Sequence, residues 1–113
     1  MGKYRIDPDT AHKIDVTAYS SEEEGIGSIT STGSRVRCGV LAASVDMINT
    51  WGYDSTIILY TKGESGKNKI FGVYQLEDRM HDKWSKRCDI YMPTIEECIQ
   101  FGIRKMWAAK KLD

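Results

Sequence analysis

The sequence has no excess of charge of either sign. Its 113 residues include 16 Lys and Arg and 16 Asp and Glu, so the formal net charge at pH 7 is zero. Proteins that bind nucleic acid or anionic membranes through bulk electrostatics carry a basic excess. The composition therefore argues against nucleic acid and membrane as partners.

Cysteine, histidine and long apolar runs are also scarce. The three cysteines, Cys38, Cys88 and Cys98, have neither the even number of a disulfide framework nor the close spacing of a zinc site. No apolar run approaches the length that spans a bilayer, and the N-terminus lacks the apolar segment of a signal peptide. We expect reduced thiols, a cytoplasmic location, no metal and no cofactor.

The length fits one domain over residues 1–113. Residues 1–12 predict an irregular lead-in, because Asp7 and Pro8 favour turns. Residues 20–34 are rich in Ser, Glu and Gly and predict a flexible loop. Between these two segments, alternating apolar and polar side chains over residues 13–19 predict a half-buried strand.

Residues 35–51 have apolar side chains in two rows at helical spacing, which predicts a largely enclosed first helix. One row contains Cys38, Leu41, Val45 and Ile48. Thr32 or Ser34 can cap this helix, and Gly52 follows its last turn. On this pattern we expect Cys38 to be a core residue.

Three further strands are predicted over residues 55–61, 69–76 and 87–92, the first two joined by a hairpin. Gly72 indicates a bulge or a close backbone approach in the second of them. After Pro93, the segment Thr94-Ile95-Glu96-Glu97 has the pattern of a capping box and starts a second helix over residues 94–109.

The predicted fold class is α+β, with the element order β-α-β-β-β-α. Short connections favour antiparallel pairing of the last three strands, and both apolar helix stripes require a sheet face to cover. The expected architecture is a two-layer sandwich, in which two helices pack on one face of an antiparallel sheet of about four strands.

Part of this element order resembles the double-stranded-RNA-binding domain, namely the helix, three strands and helix over residues 35–110. That resemblance implies a basic start to the last helix, which contacts phosphates. Here the corresponding positions include Glu96 and Glu97, whose carboxylates repel phosphate. The resemblance therefore concerns architecture and not function.

The segment 79–87 combines basic residues with an aromatic side chain, a composition suited to anchoring a protein partner. The candidate partner-binding residues are Arg79, His81, Lys83, Trp84, Lys86 and Arg87. A second candidate surface is the acidic stretch Glu22–Glu24. The leading prediction is a small non-catalytic protein-interaction module that inhibits or regulates another protein. A phage or mobile-element origin and self-association are compatible with it.

Two alternatives stay open. A glycine-containing loop before the first helix could bind a small anionic ligand or nucleotide on its amides and arginines. Its candidate residues are Thr32, Gly33, Ser34, Arg35 and Arg37. The other alternative is a cysteine-dependent hydrolase, in which Cys38 pairs with His12 or His81.

Overall fold

A computed structural model describes residues 4–21 and 29–112 of the chain. The seven strands are β1 Arg5–Ile6, β2 His12–Tyr19, β3 Val40–Ala43, β4 Thr56–Lys62, β5 Asn68–Arg79, β6 Arg87–Tyr91 and β7 Arg104–Leu112. The helices are α1 Val45–Trp51 and α2 Ile95–Phe101, with one turn of 3₁₀ helix at Pro8–Thr10. Neither α-helix is long and apolar enough to cross a membrane.

Six of the strands form a closed barrel, so the predicted α+β two-layer sandwich is wrong. The strand order is β7-β2-β6-β3-β5-β4, and β4 pairs with β7 to close the ring, while β1 adds to the edge of β7. The sheet is mixed, because β2 and β6 are parallel, as are β3 and β5. The expected antiparallel pairing holds for β4 with β5, but β6 pairs with β2 and β3 instead of β5.

The barrel interior is filled by aliphatic side chains from successive strands. Its fully buried members include Ile14, Val16, Leu41, Ile57, Leu59, Leu76 and Ile90. Met47 and Trp51 of α1 and Phe101 of α2 extend this core from the two helices. The indole Nε1 of Trp51 donates to the Thr10 carbonyl at 2.9 Å, which ties α1 to the N-terminal segment.

The predicted first helix is wrong over most of its length. Residues 40–43 form strand β3, and α1 begins at Val45 with Ser44, not Thr32 or Ser34, at its N-cap. All four residues of β3 are buried. A strand that is enclosed on both faces has apolar residues at every position. Such a continuous apolar run also contains the spacing of an amphipathic helix, so the sequence pattern does not distinguish the two. Cys38 precedes this strand and is exposed, so its predicted core position is wrong.

The second helix is confirmed at its start and wrong in its extent. Thr94 Oγ1 accepts from the Glu97 amide and Glu97 Oε2 accepts from the Thr94 amide, both at 3.2 Å, which is the predicted capping box. The helix ends at Phe101, since Gly102 has φ +67°, and β7 follows. Ile99 and Ile103, which belong to the apolar stripe of the predicted helix, are 74% and 66% exposed.

Four strand predictions are confirmed with small boundary shifts, because β2, β4, β5 and β6 lie where the sequence patterns place them. The predicted bulge at Gly72 is confirmed as well. Leu59 pairs with Gly72 and Tyr60 with Ile70, so Phe71 is the extra residue. The acidic stretch Glu22–Glu24 and residues 1–3 lie outside the described residues.

Candidate functional site

A cleft of about 280 Å³ lies on the outer face of the barrel, across strands β2, β6, β3 and β5. Its lining residues are Tyr19, Ala42, Asp78, Arg79, Met80, His81, Trp84 and Asp89. Three of them, Arg79, His81 and Trp84, belong to the predicted partner-binding set. The other five were not predicted as functional residues.

Strand register aligns the floor of the cleft. Thr17 pairs with Asp89, Asp89 pairs with Ala42, and Ala42 pairs with Asp78, so these four residues form one row across four adjacent strands. The two aspartates are therefore separated by two strand spacings, about 10 Å between Cα atoms. Ala42 lies between them and is buried in the small outer cluster with Tyr19 and Met80.

The Asp89 carboxyl is half-buried in this row, and burial raises its pKa. Asp78 adds to this rise, while a hydrogen bond from the Thr17 hydroxyl and the charge of Arg87 oppose it. A carboxyl with a raised pKa keeps its proton to higher pH, which is a property of general acids in enzymes. Such a group in a cleft is a candidate functional residue.

The Asp78 carboxylate is held in place by backbone and side-chain donors. Its Oδ1 accepts from the Ser31 amide at 3.0 Å, from the Ser31 hydroxyl at 2.8 Å and from the Arg79 amide at 2.9 Å. Asp78 is thus a fixed carboxylate opposite Asp89.

Tyr19 contributes a buried hydroxyl that has no hydrogen-bond partner among residues 4–21 and 29–112. The residue is only 6% exposed and its ring packs edge-on against Tyr91, with centroids 5.8 Å apart. Burial, followed by the charges of Asp78 and Asp89, raises the pKa of Tyr19, so the phenol stays protonated. Buried polar groups in native proteins are normally paired. The Tyr19 hydroxyl is an exception to this rule among the described residues.

Trp84 forms a wall of the cleft and is fixed by its neighbours. The Arg87 guanidinium lies 3.9 Å from the centroid of its ring, and Lys83 Nζ lies 4.9 Å from it. The indole also packs against the small outer cluster that contains Tyr19, Ala42 and Met80. Trp84 is therefore partly buried, with one part of its surface available to a ligand in the cleft.

The other predicted partner-binding residues surround this wall. Arg79 ends β5 and forms an ion pair with Asp82, and the Nδ1 atom of His81 accepts from the Lys83 amide at 3.1 Å. Lys86 has φ +46°, and its amide donates to Asp46 Oδ2 at 2.9 Å. Apart from Trp84 and Arg87, the side chains of the set are exposed.

The predicted anion site lacks the helix on which it was based. Thr32, Gly33 and Ser34 lie in a turn, and no helix follows until Val45. Arg37 forms an ion pair with Glu77, which also accepts a hydrogen bond from the Ser34 hydroxyl. This pairing lowers the pKa of Glu77 and occupies Arg37. Arg35 is exposed. Anion binding at the five predicted residues therefore stays a prediction, and no helix N-terminus supports it.

Among the described residues, no group of three or more His, Cys, Asp or Glu side chains could hold a metal ion. Cys38 is exposed, whereas Cys88 and Cys98 are buried, and the proposed pairing of Cys38 with His12 or His81 stays a prediction. No protein-family model matches the sequence, and no curated protein matches it.

Proposed function

We propose that the cleft is an active site for acid–base catalysis, and that its reaction is cleavage of a glycosidic bond in a neutral saccharide. The observation that carries this proposal is the pair of carboxyls, Asp89 and Asp78, on either side of Ala42 in one row of the sheet. Glycosidases use two carboxyl groups roughly 5–9.5 Å apart, one of them an acid whose pKa is raised. Side chains on strands two spacings apart can reach such a separation.

The two carboxyls have different environments, which supports different roles. Burial favours the protonated form of Asp89, which can give its proton to the leaving oxygen as the C–O bond breaks. Asp78, fixed by three donors to Oδ1, faces the developing positive charge at the sugar carbon. A water molecule attacks that carbon and forms the new C–O bond, and its proton passes to Asp78, so that both sugar products leave neutral.

The remaining surface of the cleft favours a neutral, partly apolar ligand. The Asp78 carboxylate repels an anionic group, and the nearby Arg79 is paired with Asp82. Trp84 and Met80 supply apolar surface, which packs well against the C–H faces of a sugar ring. The combination of apolar walls and a few polar groups is typical of ligand sites.

A cleavage assay on a panel of polysaccharides tests the proposal. Chitin and cellulose oligomers, bacterial cell-wall glycan and an anionic glycosaminoglycan are incubated with the protein, and products are detected by mass spectrometry. We expect cleavage of a neutral glycan, and a fall in rate of about 10²–10⁴-fold in Asp89→Asn. The matched control is Asp15→Asn on β2, since Asp15 is paired with Lys105 outside the cleft. Cleavage of no substrate, or an unchanged rate in Asp89→Asn, contradicts the proposal.

A second candidate function is the protein-interaction module predicted from the sequence. It is supported by Trp84 and the basic residues around it, since Arg79, Lys83 and Lys86 are exposed beside a fixed indole. If a protein partner binds there, Trp84→Ala should weaken binding by at least about 2 kcal/mol. Affinity capture with wild type, Trp84→Ala and the double variant Arg35→Ala, Arg37→Ala compares the two predicted surfaces. Loss of binding in the double variant alone would instead favour the anion site.

A further inference from the structure

A second cavity, of about 460 Å³, lies on the outer face of the barrel and shares no lining residue with the cleft. Its floor contains Tyr60 of β4 and Trp107 of β7, which pair across the sheet and whose rings stack with centroids 6.5 Å apart. The other lining residues belong to the N-terminal segment and to the β4–β5 hairpin, namely Ile6, Pro8, Ala11, Lys62, Gly66 and Asn68. The volume is within the range of small-molecule sites, roughly 300–1,000 Å³.

The charged side chains at this cavity are lysines. Lys62 is exposed, and its ammonium lies 4.2 Å from the centroid of the Trp107 ring. Lys13, the partner of Trp107 on β2, is exposed on the same face of the sheet. Neither lysine forms an ion pair with a described residue. Asp7 and Glu64 belong to the segments on either side, but neither lines the cavity. The positive charge is therefore available to an anionic ligand.

We propose that this cavity binds a nucleotide, whose base stacks on Trp107 and whose phosphate contacts Lys62. An aromatic floor beside a cation suits a planar ring that carries an anionic group. Asn68 supplies an amide that both donates and accepts hydrogen bonds, which matches the edge of a nucleobase. Lys62 and Asn68 are exposed and Trp107 is partly exposed, so a ligand can reach all three. Because the lysine stem is flexible, its ammonium can move from the indole to the phosphate when the base stacks.

The neutral net charge of the chain does not oppose this contact, since the contact depends on lysines at the cavity and not on a basic excess over the whole surface. A free nucleotide and a nucleotide within a single strand offer the same base and phosphate. The site is also independent of the acid–base reaction proposed for the cleft, because the two share no residue.

Calorimetry with adenosine monophosphate, adenosine, inorganic phosphate and an adenylate tetramer tests the proposal. We expect the monophosphate to bind more tightly than adenosine or phosphate, because each of these lacks one of its two contacts. Lys62→Gln should weaken binding of the monophosphate by roughly 3-fold, and Trp107→Leu by roughly 5- to 150-fold. The matched control is Lys69→Gln, which removes the same charge from the same hairpin at a residue that lines a different cavity. This control should leave the affinity unchanged.

The tetramer distinguishes the two sources of the ligand. Tighter binding of the tetramer than of the monophosphate identifies a strand as the ligand, and equal affinity identifies a free nucleotide. If Trp107→Leu fails to fold, Lys62→Gln still decides, since Lys62 is exposed and outside the core. Three results would overturn the proposal: binding of adenosine as tight as that of the monophosphate, an unchanged affinity in Lys62→Gln, or no binding of any probe. None of the three affects the proposed reaction of the cleft.

Discussion

Replacement of Asp89 by asparagine should increase the stability of the protein, although it should lower the proposed activity. The Asp89 carboxyl is half-buried, and burial is the main cause of its raised pKa. Asparagine keeps the Oδ1 atom that accepts from the Thr17 hydroxyl, but it carries no charge to desolvate. Asp89→Asn should therefore stabilise the protein relative to wild type at neutral and alkaline pH.

The sign of the pH dependence follows from linkage. The pKa of Asp89 is higher in the folded protein than in the unfolded chain, where it is near 4. The contribution of the Asp89 carboxyl to stability is fully present below its pKa in the unfolded chain. This contribution is lost as the pH rises through its pKa in the folded protein. In this window the stability of wild type should fall relative to Asp89→Asn by up to about 1.4 kcal/mol per pH unit, and then level off.

Urea denaturation followed by tryptophan fluorescence, at pH values from about 4 to 9, measures this difference. A second variant sharpens the test. Thr17→Val removes the hydrogen bond that opposes the rise in the pKa of Asp89, so the decline in stability should extend to higher pH. A difference between wild type and Asp89→Asn that stays constant over the whole pH range would refute the reasoning.

Two further predictions concern the fold. Thr94→Ala removes the capping box of α2 and should cost about 1 kcal/mol, which lowers Tm by roughly 4 °C; an unchanged midpoint would show that the cap does not stabilise the helix. Cys38 is exposed and should react with an aromatic disulfide reagent in the native protein, whereas Cys88 is buried and should react only on unfolding. The double variant Cys38→Ala and Cys98→Ala leaves Cys88 as the reacting thiol. If Cys88 releases the reagent's chromophore before this variant unfolds, the assigned burial of Cys88 is wrong.

The local patterns in the sequence predicted the local features of the fold. Alternation over residues 13–19 identified β2, and the spacing of Thr94 and Glu97 identified the start of α2. Strands β3 and β7 were missed because their apolar residues also fit a helical period. Gly39 and Gly102 have positive φ and separate β3 and β7 from the segments that precede them. The presence of a glycine in the sequence does not by itself show that φ is positive there.

The candidate site could be predicted only in part. Arg79, His81 and Trp84 were identified because basic and aromatic residues are adjacent in the sequence there. Asp78 and Asp89 were not, since each has the pattern of an ordinary polar residue facing solvent. Their relationship depends on β3 lying between β5 and β6, and parallel pairing leaves no short-range pattern in the sequence. The raised pKa of Asp89 follows mainly from its burial, which depends on the tertiary structure.

The position of β3 has a consequence for folding kinetics. Strands β5 and β6 are consecutive in the chain, yet β3 separates them in the barrel, and Thr17 and Asp89 are 72 residues apart. Contacts of such sequence separation form slowly, because the chain entropy lost in closing long loops precedes the gain from packing. The β4–β5 hairpin can form early, but the row from Thr17 to Asp78 exists only after β3 has inserted. During refolding, recovery of the proposed saccharide binding should therefore lag behind recovery of β-structure measured by circular dichroism.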